Sequence, residues 1–401
     1  MNEDVVKNGI CVVPAAGKYR RLMLLAVLVS AGPLMGLIIV GIAPVLPMLA
    51  QIYGAGSAGS WKAQLLLTVP SMGIMLGGPL TGWLVERVGV RRMSLIGFAT
   101  YTVAGAAGMV SLNLWLLLPT RLLVGLGAVA VGTSSMALLA THYTDEERAR
   151  ILGYQGAFGS AFGIAGFLIA GELGERFGIR ANFALYLGAA ILFLLAFIAV
   201  PSSPVRVDSR PTAVRQSLLS LWPLYVFLTL LFCASFMPSV QLGFLLVHDG
   251  VSSAATISQV LAGGALGTAT GSWAYGRLVS RLGYDWIFPL SLFTWASGLL
   301  IVGWASGIAL IACGTVLAGL GFGLFMPYAA GLLLRKAPPT ARGRAMGFYY
   351  TAIYLGDFIS PFVAMSLRDM VGIHGLFLVI GLTIVLVGAG SLLKRALYPS
   401  M

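Results

Sequence analysis

The sequence predicts an all-α membrane protein with twelve transmembrane helices in two six-helix bundles, related as parallel repeats about an axis along the membrane normal. Three observations predict it. Apolar residues make up 58% of the 401 positions and charged residues only 9%, and mean hydropathy is +0.93, whereas a soluble domain carries about a quarter charged residues. Apolar runs approaching the roughly 20 residues that a spanning helix needs recur twelve times, near 22–50, 63–83, 93–112, 114–141, 150–172, 182–200, 218–247, 253–276, 286–306, 307–334, 345–367 and 375–393. Finally, the second half of the chain repeats the first. Gly82, Leu84, Val85, Arg87 and Gly89 recur as Gly276, Leu278, Val279, Arg281 and Gly283. Gly125-Leu-Gly127 recurs as Gly319-Leu-Gly321, Arg148, Arg150 and Gly153 as Arg342, Arg344 and Gly347, and Phe183 as Phe377, always 194 positions on. An even number of crossings per half keeps the two copies parallel.

Lys18, Arg20 and Arg21 precede the first apolar run. That run is too long for a signal peptide and has eleven successors, so it reads as an uncleaved first span after a tail at 1–21. Pro44 and Pro47 near its far end remove amide hydrogens and predict a kink. It holds no acid between Leu22 and Ala50. Spans two, five and eight carry glycines chiefly at spacings of three and four: Gly73, Gly77, Gly78 and Gly82, then Gly153, Gly156, Gly159, Gly163 and Gly166, then Gly263, Gly264, Gly267 and Gly271. Small residues at that period let helix backbones approach closely in lipid. Pro201 and Pro204 stop span six, and 201–217 is a polar linker long enough to join two bundles. The bundles are expected at 22–200 and 218–393, with a second tail at 394–401.

The net charge of +12 follows topology rather than nucleic acid. With the N-terminus inside, 20 of the 25 Lys and Arg fall on the inner side. Lys62, Arg176, Arg180 and Arg368 fall outside, and Arg121 lies within a span. This bias places both termini in the cytoplasm. Cys11, Cys233 and Cys313 make no disulfide framework. His142, His248 and His374 lie in different loops with no ligand spacing in the sequence, so no metal is expected. No Walker loop, nucleophile elbow or His-Glu-x-x-His occurs.

The stretch Gly82-Trp-Leu-Val-Glu-Arg-Val-Gly-Val-Arg-Arg92 resembles the signature loop of the major facilitator superfamily. Arg121-x-x-x-Gly125 in span four resembles that family's second motif. The resemblance implies a secondary transporter whose halves meet along spans two, five, eight and eleven, making the glycine faces candidate sliding surfaces; ordinary tight packing is the alternative. It further implies that Glu86 engages the positive N-terminal end of span eleven in the outward-facing state, and that Gly82, Arg87, Gly89 and Arg91, with Gly276, Arg281 and Gly283 in the second copy, act in conformational switching. Arg148 and Arg150, or Arg91, complete a charge cluster with Glu86, Asp145 and Glu146. The sequence departs from the pattern in two places. Val90 stands where a basic residue is usual, and Ser280 replaces the acid in the second copy. Gly166-Phe-Leu-Ile-Ala-Gly171 is a degraded form of the exporters' Gly-Pro-x-x-Gly-Gly, and 344–362 resembles the eleventh span of sugar- and drug-efflux permeases, where a neutral residue commonly stands in place of Asp357.

Two charges lie well inside apolar spans, Arg121 and Asp357. Such a charge costs about 2.5–3.5 kcal/mol at a helix centre even on the lenient insertion scale, so both should face the bundle interior or water. Asp357 reads as a titratable proton carrier, against the alternative of a structural acid bonded to Ser360 or a neighbouring helix. Arg121 keeps its proton and either supports coupling, pins helices or binds an anionic substrate. Phe232, Phe236, Gln241, Met326, Tyr349, Tyr350 and Tyr354 are candidate cavity residues, an aromatic and methionine lining that suits an amphipathic molecule; packing aromatics are the alternative. The sequence thus points to a monomeric transporter in a bacterial inner membrane, exporting a small amphipathic molecule, with the proton gradient as energy source and no cofactor. The alternatives are import of a small organic anion and, more remotely, a membrane-embedded enzyme.

Overall fold

A computed structural model describes residues 18–54, 56–143, 145–201, 221–337 and 342–397. They are almost entirely helical, in the order the apolar runs predict. Span one is built in pieces, Lys18–Val29, Ala31–Val40, a 3-10 turn at Ala43–Val45 and Leu46–Tyr53. The break falls where Pro44 and Pro47 withhold amide hydrogens. The Gly41 carbonyl at that break accepts a hydrogen bond from Asn182 Nδ2 at 2.9 Å. Spans two to five are Gly56–Val88, Val90–Val110, Leu114–His142 and Asp145–Phe177. Span six starts as Ile179–Asn182, tightens to a 3-10 turn at Phe183–Leu187 and continues as Gly188–Ala199. Spans seven to ten are Trp222–His248, Ala254–Leu282, Tyr284–Trp304 and Ile308–Lys336. Spans eleven and twelve share Arg342–Leu397, broken at Gly372 (φ 75°).

Among the described residues, ten stretches are long and apolar enough to cross a membrane. The count becomes twelve because Gly372 divides the 49-residue stretch Ala345–Leu393, and because span eight, rich in glycine and serine, is a full-length helix of lower hydropathy. Side chains such as Val103, Trp115, Trp304 and Leu386 stand exposed on the helix surfaces. An apolar belt of that kind is stable only against lipid.

The repeat survives at the level of atoms. Gly89 and Gly283 both end a helix with positive φ, 88° and 81°, and with ψ of 152° and 156°, a nearly glycine-only conformation that costs a residue with a Cβ at least about 1 kcal/mol. Gly178 and Gly372 form a second such pair, 80° and 75°. Within each half the same helices touch at the same register. A Cβ on Gly73 would strike Leu122 O, and one on Gly267 would strike Val316 O. For Gly125 the obstacle is Pro70 O, and for Gly319 it is Gly264 O. Gly127 abuts Tyr101 N, and Gly321 abuts Trp295 N. Every partner is displaced by 194, as the sequence requires.

These contacts also decide what the glycine faces do. Gly73 and Gly77 receive span four, and Gly263, Gly264, Gly267 and Gly271 receive span ten. Gly73 and Gly77 of span two and these four glycines of span eight therefore seat neighbours of their own half, whereas Gly78 and Gly82 face open space. In span five, Gly171 rests on Ser258 of span eight, while Gly156 and Gly163 face open space. Of the two readings, close packing is the one the structure bears out for Gly73 and Gly77 and for the glycines of span eight.

The described residues fall into two compact units, drawn from Met1–Ile42, Leu66–Gly163 and Phe177–Ser209, and from Ala43–Leu65, Ile164–Arg176 and Arg210–Met401. The second unit thus takes in the ends of spans one, two and five. Pro47 packs on Gly243 of span seven. Trp61 meets Phe362 edge-on at 4.6 Å between ring centroids. The Glu175 carboxylate accepts hydrogen bonds from the Ser253 hydroxyl and from the Ala255 amide at 2.8 Å, capping span eight. An acid there is favoured because the N-terminal amides of a helix lack partners within it and carry partial positive charge.

Candidate functional site

Arg121 lies seven residues into span four and is wholly buried within the first unit. Its Nη1 donates to Tyr186 Oη at 2.7 Å. Its guanidinium sits 4.7 Å from the Phe183 ring centroid and 4.8 Å from that of Tyr186. The Tyr186 hydroxyl in turn donates to Leu37 O, and Tyr101 to Leu34 O at 2.7 Å, tying the cage to span one. Nε and Nη2 of Arg121 are buried without hydrogen-bond partners among the described residues. The cation is held by aromatic faces with two donors to spare.

Asp357 belongs to the second unit and is 3% exposed. It sits on span eleven beside Gly356, where a Cβ would meet Cys233 N and Thr229 O, so spans seven and eleven run backbone to backbone. The Ser360 hydroxyl donates to the Asp357 main-chain carbonyl at 2.8 Å; it stabilises the helix rather than the carboxylate. Beside this contact, Phe232 is fully buried between Phe325 (5.7 Å) and Tyr349 (5.6 Å). Tyr349 is buried too, with its hydroxyl on Met326 O at 3.2 Å. Phe232 and Tyr349 are therefore core, the packing alternative for both. Phe236, Met326 and Tyr354 are half-buried, and Tyr350 is exposed.

Gln241 is also fully buried, and its partner was not apparent from the sequence. Its Nε2 donates to Gln64 Oε1 at 2.9 Å, and Gln64 Nε2 donates to Met365 Sδ at 3.3 Å. Gln241 Oε1 has no partner among the described residues. A lone polar side chain in an apolar stretch of span two was the available signal for Gln64. A groove of about 520 Å³ lined by Arg281, Leu282, Trp286, Pro289, Leu290, Phe293 and Leu392 contains none of the candidate cavity residues.

In the signature loop, Arg87 stacks over Trp83 at 4.0 Å; in the second copy a similar stack lies one helical turn earlier, Arg277 over Trp273 at 4.0 Å, and is not its register counterpart. Arg91 Nη2 donates to Phe197 O at 2.7 Å. Gly82 and Gly276 face open space, and Arg281 is exposed. The side chains of Glu86, Asp145, Glu146, Arg148 and Arg150 lie outside the described residues. At the ends of spans, Glu172 pairs with Arg176 at 2.8 Å, both half exposed or more. His248 and His374, remote in sequence, both reach the Asp249 carboxylate. Burial raises the Asp249 pKa, but hydrogen bonds from His374 and then His248 more than offset that and leave it below the ordinary value.

The profile of the Major Facilitator Superfamily matches residues 24–252 and 226–399. The chain belongs to the major facilitator superfamily. It is therefore a multi-pass membrane transporter of small molecules, a secondary transporter rather than an enzyme. It is 25% identical over 352 residues to the multi-drug resistance efflux pump PmrA of Streptococcus pneumoniae serotype 4, covering 84% of this chain and 87% of that one. It is 23% identical over 361 residues to the multidrug resistance protein MdtG of Enterobacter lignolyticus, covering 85% and 84%. Among solved structures, the D-xylose-proton symporter superposes with TM-score 0.75 at 17% identity, covering 92% of this chain and 97% of that one. The nucleoside transporter NupG gives 0.74 at 12% identity, covering 93% and 98%. At those identities the superpositions establish the fold alone.

Proposed function

We propose that this superfamily member exports a small amphipathic molecule in exchange for protons, by alternating access of two rocking bundles, as a monomer in a bacterial inner membrane with both termini cytoplasmic. The observation that carries this reading is Asp357, an acid 3% exposed on an apolar span whose backbone abuts span seven. An acid held within an apolar span can carry a proton between water reached from alternate sides, which converts a proton gradient into alternation. Other acids serve this less well: span one has none between Leu22 and Ala50, Glu172 is exposed on Arg176, and Asp249 is engaged by two histidines. Arg121 retains its proton and acts as the permanent countercharge. Export is supported by the names of PmrA and MdtG, and the orientation by the inner-side excess of Lys and Arg.

The duplicated loop (Gly82, Glu86, Arg87, Gly89 and Arg91, with Gly276, Arg281 and Gly283) governs switching. Gln241 with Gln64, and Phe236, Met326, Tyr350 and Tyr354, contact substrate. The test is Asp357→Asn in proteoliposomes with an imposed pH gradient, with ligand binding measured alongside. Binding should persist while gradient-driven flux disappears; full gradient-driven flux in the variant overturns the proposal.

One observation favours a second reading, import of a small organic anion. The unpartnered Nε and Nη2 of Arg121 are the donors that a carboxylate would occupy. Direction of flux in the same proteoliposomes separates the two, and Arg121→Lys would then raise the substrate KM by removing the bidentate fork.

A further inference from the structure

We propose that His248, Asp249 and His374 form a binding site for a divalent transition-metal ion of the zinc class, joining the end of span seven to the start of span twelve. Span seven ends at His248, Asp249 follows, and Gly250 (φ 88°) turns the chain away. His374 stands two residues beyond Gly372, the break between spans eleven and twelve. That break turns span twelve back so that His374 Nε2 comes to 2.9 Å from Asp249 Oδ1, while His248 Nδ1 lies 3.1 Å from the same oxygen. All three donor atoms lie within 4.8 Å of one another. The imidazoles meet edge to face with centroids 5.6 Å apart.

Tetrahedral zinc bonds His nitrogen at about 2.0–2.1 Å and carboxylate oxygen at about 2.0–2.2 Å, which sets neighbouring ligand atoms roughly 3.3–3.5 Å apart. The two nitrogen–oxygen separations here need to open by only a few tenths of an ångström for an ion to replace the shared protons. Two imidazoles and one carboxylate suit zinc, cobalt or nickel, whereas calcium and magnesium demand oxygen shells. The His248 side chain is 61% exposed, so an ion can enter from solvent and complete its shell with water. Nothing in the sequence spacing shows this set, because 125 residues separate Asp249 from His374.

The test uses the full-length protein purified in detergent through a tag without histidines and stripped by chelator. Zinc is titrated against a chromophoric chelator in the parent and in His248→Ala, Asp249→Asn, His374→Ala and His142→Ala. The parent and His142→Ala should bind one equivalent. Each ligand variant should lose at least the 10–100-fold in affinity that even an outer-shell deletion costs. Cobalt should give a visible tetrahedral spectrum in the parent, absent in His374→Ala. Metal-free melting temperatures equal to the parent's verify that the variants fold. Zinc affinity unchanged in both His248→Ala and His374→Ala, or a parent that binds none, overturns the proposal and leaves a histidine–aspartate ion pair.

Discussion

Arg121→Met is expected to abolish transport yet change stability by no more than about 2 kcal/mol, and the structure supplies the balance. The variant loses the hydrogen bond from Nη1 to Tyr186 Oη, about 1.5–3 kcal/mol for a charged donor. It also loses stacking on Phe183 and Tyr186, about 2 kcal/mol or more where water is excluded. Against this, it removes the desolvation cost of two buried donors without partners, at about 1–3 kcal/mol each. Methionine fills most of the volume. The terms nearly cancel, whereas an arginine in a buried ion pair would cost about 3–5 kcal/mol to break. Thermal unfolding of the detergent-solubilised protein, followed by tryptophan fluorescence, reads the stability, and flux in proteoliposomes reads the function. A loss beyond about 3 kcal/mol, or normal transport, refutes the reasoning and makes Arg121 a pin for spans four and six.

Other expectations follow from the duplicated scaffold. Gly89→Leu places a side chain at φ 88°, costing at least about 1 kcal/mol. It and Glu86→Gln should leave expression intact but slow transport and shift the cross-linking pattern of the loop; normal rates in both would exclude a switching role. Gly125→Leu and Gly319→Leu meet equivalent backbone carbonyls, Pro70 O and Gly264 O. They should therefore lower the melting temperature alike, by at least the 1–3 kcal/mol of an overpacked core, and markedly unequal losses would show that the halves differ in packing. Glu175→Ala removes the carboxylate that holds Ser253 and Ala255 at the start of span eight. It should speed hydrogen exchange at Ala255 and Thr256; unchanged exchange would show that Ser253 suffices.

What the sequence disclosed and what it concealed divide along a physical line. Hydropathy placed the spans, and the offset of 194 predicted paired helix ends at Gly89 and Gly283, because a tight reversal needs glycine whatever surrounds it. Arg121 and Asp357 stood out because charge is rare in an apolar run. Partners could not be read in the same way. Phe183 and Tyr186 cage Arg121 only because span six tightens into a 3-10 turn. Gln64 reaches Gln241 across 177 positions, and His374 reaches Asp249 across 125. Local pattern carries no information about such approaches. The glycines of span eight showed the limit in another way, since their spacing revealed a flat face but not that span ten would occupy it.

The register-for-register match of the glycine contacts has a consequence for how the chain responds to substitution. Where a carbonyl blocks any side chain, both copies are bound by one steric rule, and Gly125 and Gly319 answer to it together. Three ionisable positions obey no such rule. The counterpart of Arg121 is Thr315, whose hydroxyl merely bonds back to Ile311 O. The counterpart of Asp357 is Gly163, which faces open space, and that of Glu86 is Ser280. The doubled scaffold therefore carries each of these three charges in one copy alone. The molecule thus carries its shape twice and each of these three charges once, so a substitution at any of the three removes a charge that the other copy does not supply.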